Sequence, residues 1–190
     1  MKKFTLDEVL KKRRSVRVYE NKMVEKDKLI SVVESSMFAP SACNRQPARF
    51  IVVTDKGKVE KIIKHSLGGI VSNRWATTVP VFIIACAKRT MFVHTIAARF
   101  KNIPYHYLDM GAAIEHLLLK AVEQGLAACW IGWFNRNSIR RILHIPASIE
   151  IISLIAIGYE SKQIEGKERV KRMRNEFLFW NEYGKTSNAV

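Results

Sequence analysis

Acidic residues, cysteine and long apolar runs are all scarce in this chain, and each shortage removes a class of explanation. The 190 residues hold 17 Asp and Glu against 32 Lys and Arg, a formal net charge of +15. A pI near 10.0 invites a nucleic-acid or anionic-membrane reading before any motif is considered. The excess is not held in a detachable arm. Residues 1–30 carry ten basic and five acidic side chains, residues 31–159 fifteen and seven, and residues 160–190 seven and five. Acids are mixed into both ends, so no low-complexity nucleic-acid-binding tail is expected. Three cysteines, Cys43, Cys86 and Cys129, lie far apart and form no CxxC pair, which excludes a disulfide framework and a zinc site. Cys86 and Cys129 sit in apolar runs and read as core residues. The N-terminal MKKFTLDEVLKKRR has no apolar stretch of the secretory kind, and the longest strongly apolar run, Val79 to Ala87, is too short to span a bilayer. A cytoplasmic protein with no membrane partner is the expectation.

The five histidines pair at no metal spacing, and no GxGxxG, GxxxxGK[ST] or GxSxG occurs, so neither a Rossmann site, a P-loop nor a nucleophile elbow is indicated. What is present is a globular composition. Apolar residues make up 48% of a length that suits one domain. Thr5 and Glu8 form a capping box for a short helix ending near Arg13–Arg14, and a second helix is expected from Lys26 to Phe38. Strands are expected at Arg49–Thr54, Val79–Cys86, Ala128–Trp133 and Glu150–Gly158. Further helices are expected near Lys58–His65, Tyr105–Gln124 and Asn137–Leu143, the long one stopped by Gly125. This mixed order without repeats is an α+β domain. The tail turns apolar and aromatic at Phe177-Leu178-Phe179-Trp180, a segment that wants something to pack on, such as a partner subunit.

Three segments could carry chemistry. In Arg13-Arg14-Ser15-Val16-Arg17, extended backbone would place Arg13, Ser15 and Arg17 on one side, two guanidinium forks around a hydroxyl, which suits a phosphate as well as it suits a solvated helix end. In Ala39-Pro40-Ser41-Ala42-Cys43-Asn44-Arg45-Gln46-Pro47, two prolines bracket Ser41, Asn44 and Gln46, polar groups that could edge a planar heteroaromatic ring or simply form turns. In Gly125-Leu126-Ala127-Ala128-Cys129-Trp130-Ile131-Gly132-Trp133-Phe134, Gly132 would let main chain approach a ligand, and Trp130 and Trp133 would either wall a flat cofactor or fill the core.

Taken in order, and followed by Leu143-x-Ile145-Pro146 and Ile155-Ala156-Ile157-Gly158-Tyr159, these segments resemble the nitroreductase family of FMN-dependent oxidoreductases, from about Leu6 to Trp180. Asp109-x-Gly111-Ala112-Ala113 matches that family's central helix. The resemblance implies a central, mostly antiparallel sheet flanked by helices, with residues 1–160 as the FMN-binding domain and 161–190 as an extension packing on a partner subunit in a homodimer. It implies that Arg13, Ser15 and Arg17 hold the FMN phosphate, with Arg14 near the ribityl chain or ring. Pro40, Ser41, Ala42, Asn44 and Gln46 would reach the flavin from the other subunit. A backbone N–H near Ile131 to Trp133, best at Gly132, would face flavin N5. Lys171 and Arg172 would approach the phosphate, with Arg169 and Arg174 close by in register. Asn73 would be a flavin contact, although the lysine of the family's N-x-x-K is replaced by Ala76. Trp130 and Ile131 complete the set.

The implied activity is ping-pong hydride transfer from NADH or NADPH, through the flavin, to a nitroaromatic, quinone or related small-molecule acceptor, with no protein side chain as catalyst. Phe92, His94, Phe100, Tyr105 and His106 are the candidates around the acceptor. Rival readings are dehalogenation or flavin fragmentation on the same fold, a flavin-binding sensor in which Cys43 is a redox handle, and, least favoured, a nucleic-acid-binding module. For Cys43 a small buried cysteine is the expected state. A nucleic-acid module would require a clustered basic face with interleaved aromatics or a recognition helix.

Overall fold

The structure, a computed structural model, describes residues 4–68, 73–88, 104–161 and 170–186. Four strands form one sheet: β1 (Ala48–Val53), β2 (Val81–Lys88), β3 (Ala127–Ile131) and β4 (Ile149–Gly158), in the spatial order β1-β2-β4-β3 with every pair antiparallel. The expected α+β class with an antiparallel sheet is what the chain adopts.

Alternation along β2 explains why the sheet is buried on both sides. Phe82, Ile84 and Cys86 join one cluster of core residues, and Val81, Ile83, Ala85 and Ala87 join the other. Helix α3 (Lys56–Ser66) and helix α5 (Arg136–Leu143) cover the first face through Val59, Ile62 and Ile139. Helix α2 (Lys26–Glu34) and the long helix α4 (Tyr105–Glu123) cover the second through Leu29, Val32, Met110, Ile114 and Leu117. A bulge between Ala85 and Cys86 skips Ile152 in β4, so Ile151 and Leu154 both face the α3 side. Sequence alternation alone would have put them on opposite faces.

The helix ends follow local chemistry. The Thr5–Glu8 capping box opens α1 (Leu6–Lys12). Gly125 closes α4 at φ 73°, with Gly125 N–H donating to Val122 O and Leu126 N–H to Ala121 O, the paired bonds of a Schellman stop. Two elements end earlier than the sequence suggests. α2 stops at Glu34, and Ser35–Phe38 tighten into a 3-10 turn, because the Ser35 and Ser36 hydroxyls donate to the Val32 and Val33 carbonyls at 2.7 and 2.6 Å. β3 stops at Ile131, so Gly132 and Trp133 lie beyond the ladder.

The segment 170–186 is exposed along nearly all its length, with Phe177, Trp180 and Tyr183 facing outward. Between α2 and β1 runs an apolar groove of about 660 Å³ lined by Met23, Leu29, Ile30, Val33 and Val52. Among the described residues, no helix is long and apolar enough to cross a membrane.

Candidate functional site

The arginine-serine-arginine segment is built onto the free edge of β3. Ser15 bridges Ala128 in parallel, and Val16 N–H donates to Ala128 O at 3.1 Å. Buried Tyr19 fixes the segment from beneath: its hydroxyl donates to Val16 O at 2.7 Å and lies 3.3 Å from Ala156 O, and burial drives its pKa upward. Each arginine then takes its own partner. Arg13 Nε lies 3.7 Å from Glu115 of α4, Arg14 pairs with Glu160, and the Arg17 guanidinium sits 6.0 Å from the Trp75 ring centroid. Glu115 and Trp75 belong to opposite sides of the sheet. The one-sided arrangement expected from strict alternation is therefore not formed: of residues 13–17 only Ser15 sits in a bridge, and Arg13 and Arg17 meet partners on opposite sides. Ser15 and Arg17 do share a side, where both act against the burial that raises the Cys129 thiol pKa.

Arg17 begins a chain of contacts that reaches the end of β3. The Trp75 indole N–H donates to Asn73 Oδ1 at 3.1 Å, and Asn73 Nδ2 donates to Trp133 O at 3.0 Å. Asn73 thus ties down the turn that follows Gly132. A Cβ placed on Gly132 would meet nothing within 4 Å, so its main chain borders open space. Trp130 is 41% exposed and Trp133 53%, flanking that opening instead of filling the core. Ile131 points inward and is buried.

The proline-serine-asparagine loop is a second group of candidates. Cys43, Asn44 and Gln46 all adopt positive φ, between 47° and 53°, an unusual run for side chains other than glycine. The loop is held by the Ser41 hydroxyl, which accepts from Gln46 N–H at 2.9 Å, by Gln46 Nε2 donating to Asn44 Oδ1 at 2.8 Å, and by Asp109 of α4, which accepts from Ala42 N–H at 2.9 Å. Pro40 starts it. Cys43 is exposed, which corrects the expectation of a buried thiol: its left-handed backbone turns the side chain out of the loop.

The two groups stand apart. Arg13–Arg17 lies outside β3, and the loop leads into β1, the opposite edge of the sheet. Three inter-strand spacings separate those edges, about 14 Å. Among the described residues no hydrogen bond or ion pair joins residues 40–47 to residues 13–17 or 130–133.

Elsewhere, His106 Nε2 lies 3.4 Å from Glu150 Oε2, and the Tyr107 hydroxyl donates to Glu150 Oε1 at 2.6 Å, so the start of α4 is tied to β4. Tyr105 opens the same helix. Phe92, His94, Phe100 and Arg169 lie outside the described residues. Lys171, Arg172 and Arg174 are exposed on the tail. Sequence reasoning missed the partners Trp75, Glu115 and Glu160. Nothing in the sequence links them to Arg17, Arg13 and Arg14, because they are supplied by distant elements.

The nitroreductase family model matches residues 10–159. The chain belongs to the nitroreductase family. It is 30% identical to an Archaeoglobus fulgidus protein provisionally named NADH dehydrogenase/NAD(P)H nitroreductase, over 77% of this chain and 80% of that one. Human iodotyrosine deiodinase 1 is 28% identical over 82% of this chain and 61% of its own length. Among solved structures, an FMN-dependent nitroreductase from Clostridium difficile R20291 matches with TM-score 0.73 and 26% identity, covering 92% of this chain and 98% of that one. A nitroreductase family protein from Clostridium novyi NT matches with TM-score 0.74 and 26% identity over 98% and 100%. The nitroreductase fold expected from the motifs is therefore the fold observed, and the family is one of oxidoreductases.

Proposed function

We propose that this protein is an FMN-dependent NAD(P)H oxidoreductase working as a homodimer, with residues 1–160 as the cofactor-binding domain and 161–190 as an extension that packs on the partner. The observation that carries this reading is the free edge of β3, where Ser15 bridges Ala128, Arg17 is linked through Trp75 and Asn73 to Trp133, and the open main chain of Gly132 lies between two half-exposed tryptophans. The donor set fits FMN. Arg17 has no carboxylate partner among the described residues, and Arg13, although paired with Glu115, keeps further guanidinium donors for a phosphate. Lys171 and Arg172 are exposed, with no ion pair among the described residues, and would add charge there. The separation of the 40–47 loop from this edge supports a second copy as the supplier of Pro40, Ser41, Ala42, Asn44 and Gln46.

When bound, FMN supplies a ring nitrogen that accepts and returns a hydride, and so an oxidoreductase of this kind needs no nucleophile of its own. The chain's own residues do the rest. Ser15 and Arg17, which share a side, would hold the phosphate, with Arg13 reaching it from the other side through donors not used by Glu115 and Arg14 nearby. The Gly132 N–H would serve the redox-active nitrogen, Trp130 and Trp133 would limit water around the bound ring, and Asn73 holds the turn through Trp133 O. NADH or NADPH and then a nitroaromatic or quinone acceptor would use the same space in succession.

The test is direct. The purified protein should be yellow, or become so with FMN, and NADH or NADPH should bleach it under anaerobic conditions. A colourless protein that cannot be reconstituted would refute the reading. A second reading, reductive dehalogenation of a halophenol, is favoured by the similarity to iodotyrosine deiodinase. Halide release from iodotyrosine by the reduced protein, faster than nitroaromatic reduction, would select it.

A further inference from the structure

The sequence leaves most of the +15 charge without a purpose, and the fold collects part of it. Helices α3 and α5 lie side by side on one face of the sheet, joined where Asn135 N–H donates to Ser66 O at 2.8 Å. Together they hold seven cations, Lys56, Lys58, Lys61, Lys64, Arg136, Arg140 and Arg141, against Glu60 and the N-cap Asp55. Val59, Ile62 and Ile139 point into the core, so six of the seven cations are exposed; the seventh, Arg140, donates to the carbonyls of Ile145, Pro146 and Ile149. None of the seven has an ion pair among the described residues. Part of this pattern has a bland cause, since Lys64, Arg140 and Arg141 sit in last turns where the helix dipole favours cations. Lys56, Lys58, Lys61 and Arg136 have no such reason.

The position of this face gives it meaning. Asn73 N–H donates to Leu67 O at the end of α3, and the Asn73 side chain holds Trp133. Arg136 begins α5 three residues after Trp133 and lies 6.0 Å from the Phe134 ring. The basic face therefore borders the opening beside Gly132. We infer that the outer face of α3 and α5 is a docking surface for a small acidic electron-carrier protein that reduces the site. This rests on the oxidoreductase reading above. The α3 cations spread over about 12 Å of helix, longer than a single nucleotide's diphosphate requires. That extent suits the small, electrostatically steered contacts of transient redox partners. Two reduced carriers, each losing one electron, together with one proton from water, deliver what one hydride delivers.

Nucleic acid fits this face less well. No Phe, Tyr or Trp stands among the α3 cations, where His65 is the one aromatic ring, and both helices lie flat on the sheet instead of projecting as a groove-reading helix would. Glu60 amid the lysines also favours a partner of mixed charge over a uniform phosphate backbone.

The test uses the full-length protein with an acidic [2Fe–2S] ferredoxin as probe, beside a 20-nucleotide single strand and a 20-base-pair duplex. Binding is read by calorimetry at 20 and 150 mM salt, which needs no flavin in the protein. Ferredoxin is expected to bind more weakly at the higher salt, and the combined Lys61→Glu, Lys64→Glu and Arg136→Glu variant is expected to lose at least tenfold in affinity. In stopped flow, the same variant should slow bleaching by reduced ferredoxin at least tenfold while bleaching by NADH or NADPH stays unchanged. Thermal melting checks that the variant is folded, and single substitutions replace it if it is not. No ferredoxin binding, binding unaffected by the substitutions, or tighter binding of either DNA would overturn the inference. A protein that binds ferredoxin through this face but takes up no FMN would instead overturn the oxidoreductase reading and leave the docking surface standing.

Discussion

Replacing Gly158 by alanine tests whether the arginine-serine-arginine segment is held where the packing says it is. Gly158 ends β4, and a Cβ there would sit 2.7 Å from Pro80 Cγ, 2.9 Å from Pro80 Cδ and 3.0 Å from Tyr19 Cδ1. Both neighbours are rings, and Tyr19 is only 4% exposed, so neither can swing aside as a flexible chain end would. Overpacking of this kind costs about 1–3 kcal/mol. Alanine recovers about 0.5–1 kcal/mol of the backbone entropy that glycine loses on folding. The net, from the middle of each range, is a loss of about 1 kcal/mol, or a fall of about 2–4 °C in Tm for a chain of this size.

Pro80 takes the closest contacts, and Tyr19, at 3.0 Å, must give as well; its hydroxyl holds Val16 O, the residue between Ser15 and Arg17. The same substitution should therefore weaken FMN binding, by about tenfold if displacement of the segment costs about 1.4 kcal/mol. Calorimetric melting of the apoprotein and fluorescence titration with FMN measure the two effects. An unchanged or higher Tm would refute the packing argument. A lower Tm with unaltered FMN affinity would refute the assignment of the phosphate to Ser15 and Arg17.

Other outcomes follow from the thiols, the loop and the tail. At pH 8 an aromatic disulfide reagent should label one thiol per native chain, Cys43, and all three after denaturation, because Cys86 and Cys129 are buried with raised pKa values. The Cys86 thiol is pushed up to about 11 from an ordinary 9.0, so it ionises more readily in the unfolded chain; stability should fall as pH rises from about 9 to 11, and Cys86→Ala should flatten that slope in denaturant titrations. Asp109→Ala leaves the Ala42 N–H without its acceptor, which should cost about 1–3 kcal/mol and speed tryptic cleavage at Arg45 and Arg49; equal cleavage rates would count against Asp109 as the loop's anchor. Sedimentation should report a dimer for the full chain and a monomer after removal of residues 170–190, which takes away Phe177, Trp180 and Tyr183.

How much of this was legible in the sequence depends on the range over which each residue's partner lies. The Thr5–Glu8 box and the Gly125 stop are settled within six residues, and both formed as expected. β2 carried its burial in an unbroken apolar run. The end of β3 was not legible, because Trp133 leaves the ladder for Asn73, sixty residues away in sequence. Ile151 and Leu154 share a face only because of a bulge that local alternation cannot announce.

The same distinction governs the site. Ser15, Arg17 and Gly132 could be singled out because their side-chain chemistry, or lack of a side chain, is intrinsic. Glu115, Glu160 and Trp75 could not, since each matters only through the arginine it meets. These partners also change the electrostatics. Two of the three arginines bring a carboxylate with them, so the edge proposed to take the phosphate is less positive than RRSVR suggests, and Arg17 is left as the arginine there with no acid against it among the described residues. The charge on α3 and α5 runs the other way: cations separated by about eighty residues in sequence are gathered on one face, where Glu60 and Asp55 are outnumbered and none of the cations is ion-paired among the described residues. Net charge read along the chain therefore overstates the cofactor edge and understates the flank beside it. Where a protein's charge acts is decided by which cations the fold leaves unpaired, and here those stand beside the opening and not only within it.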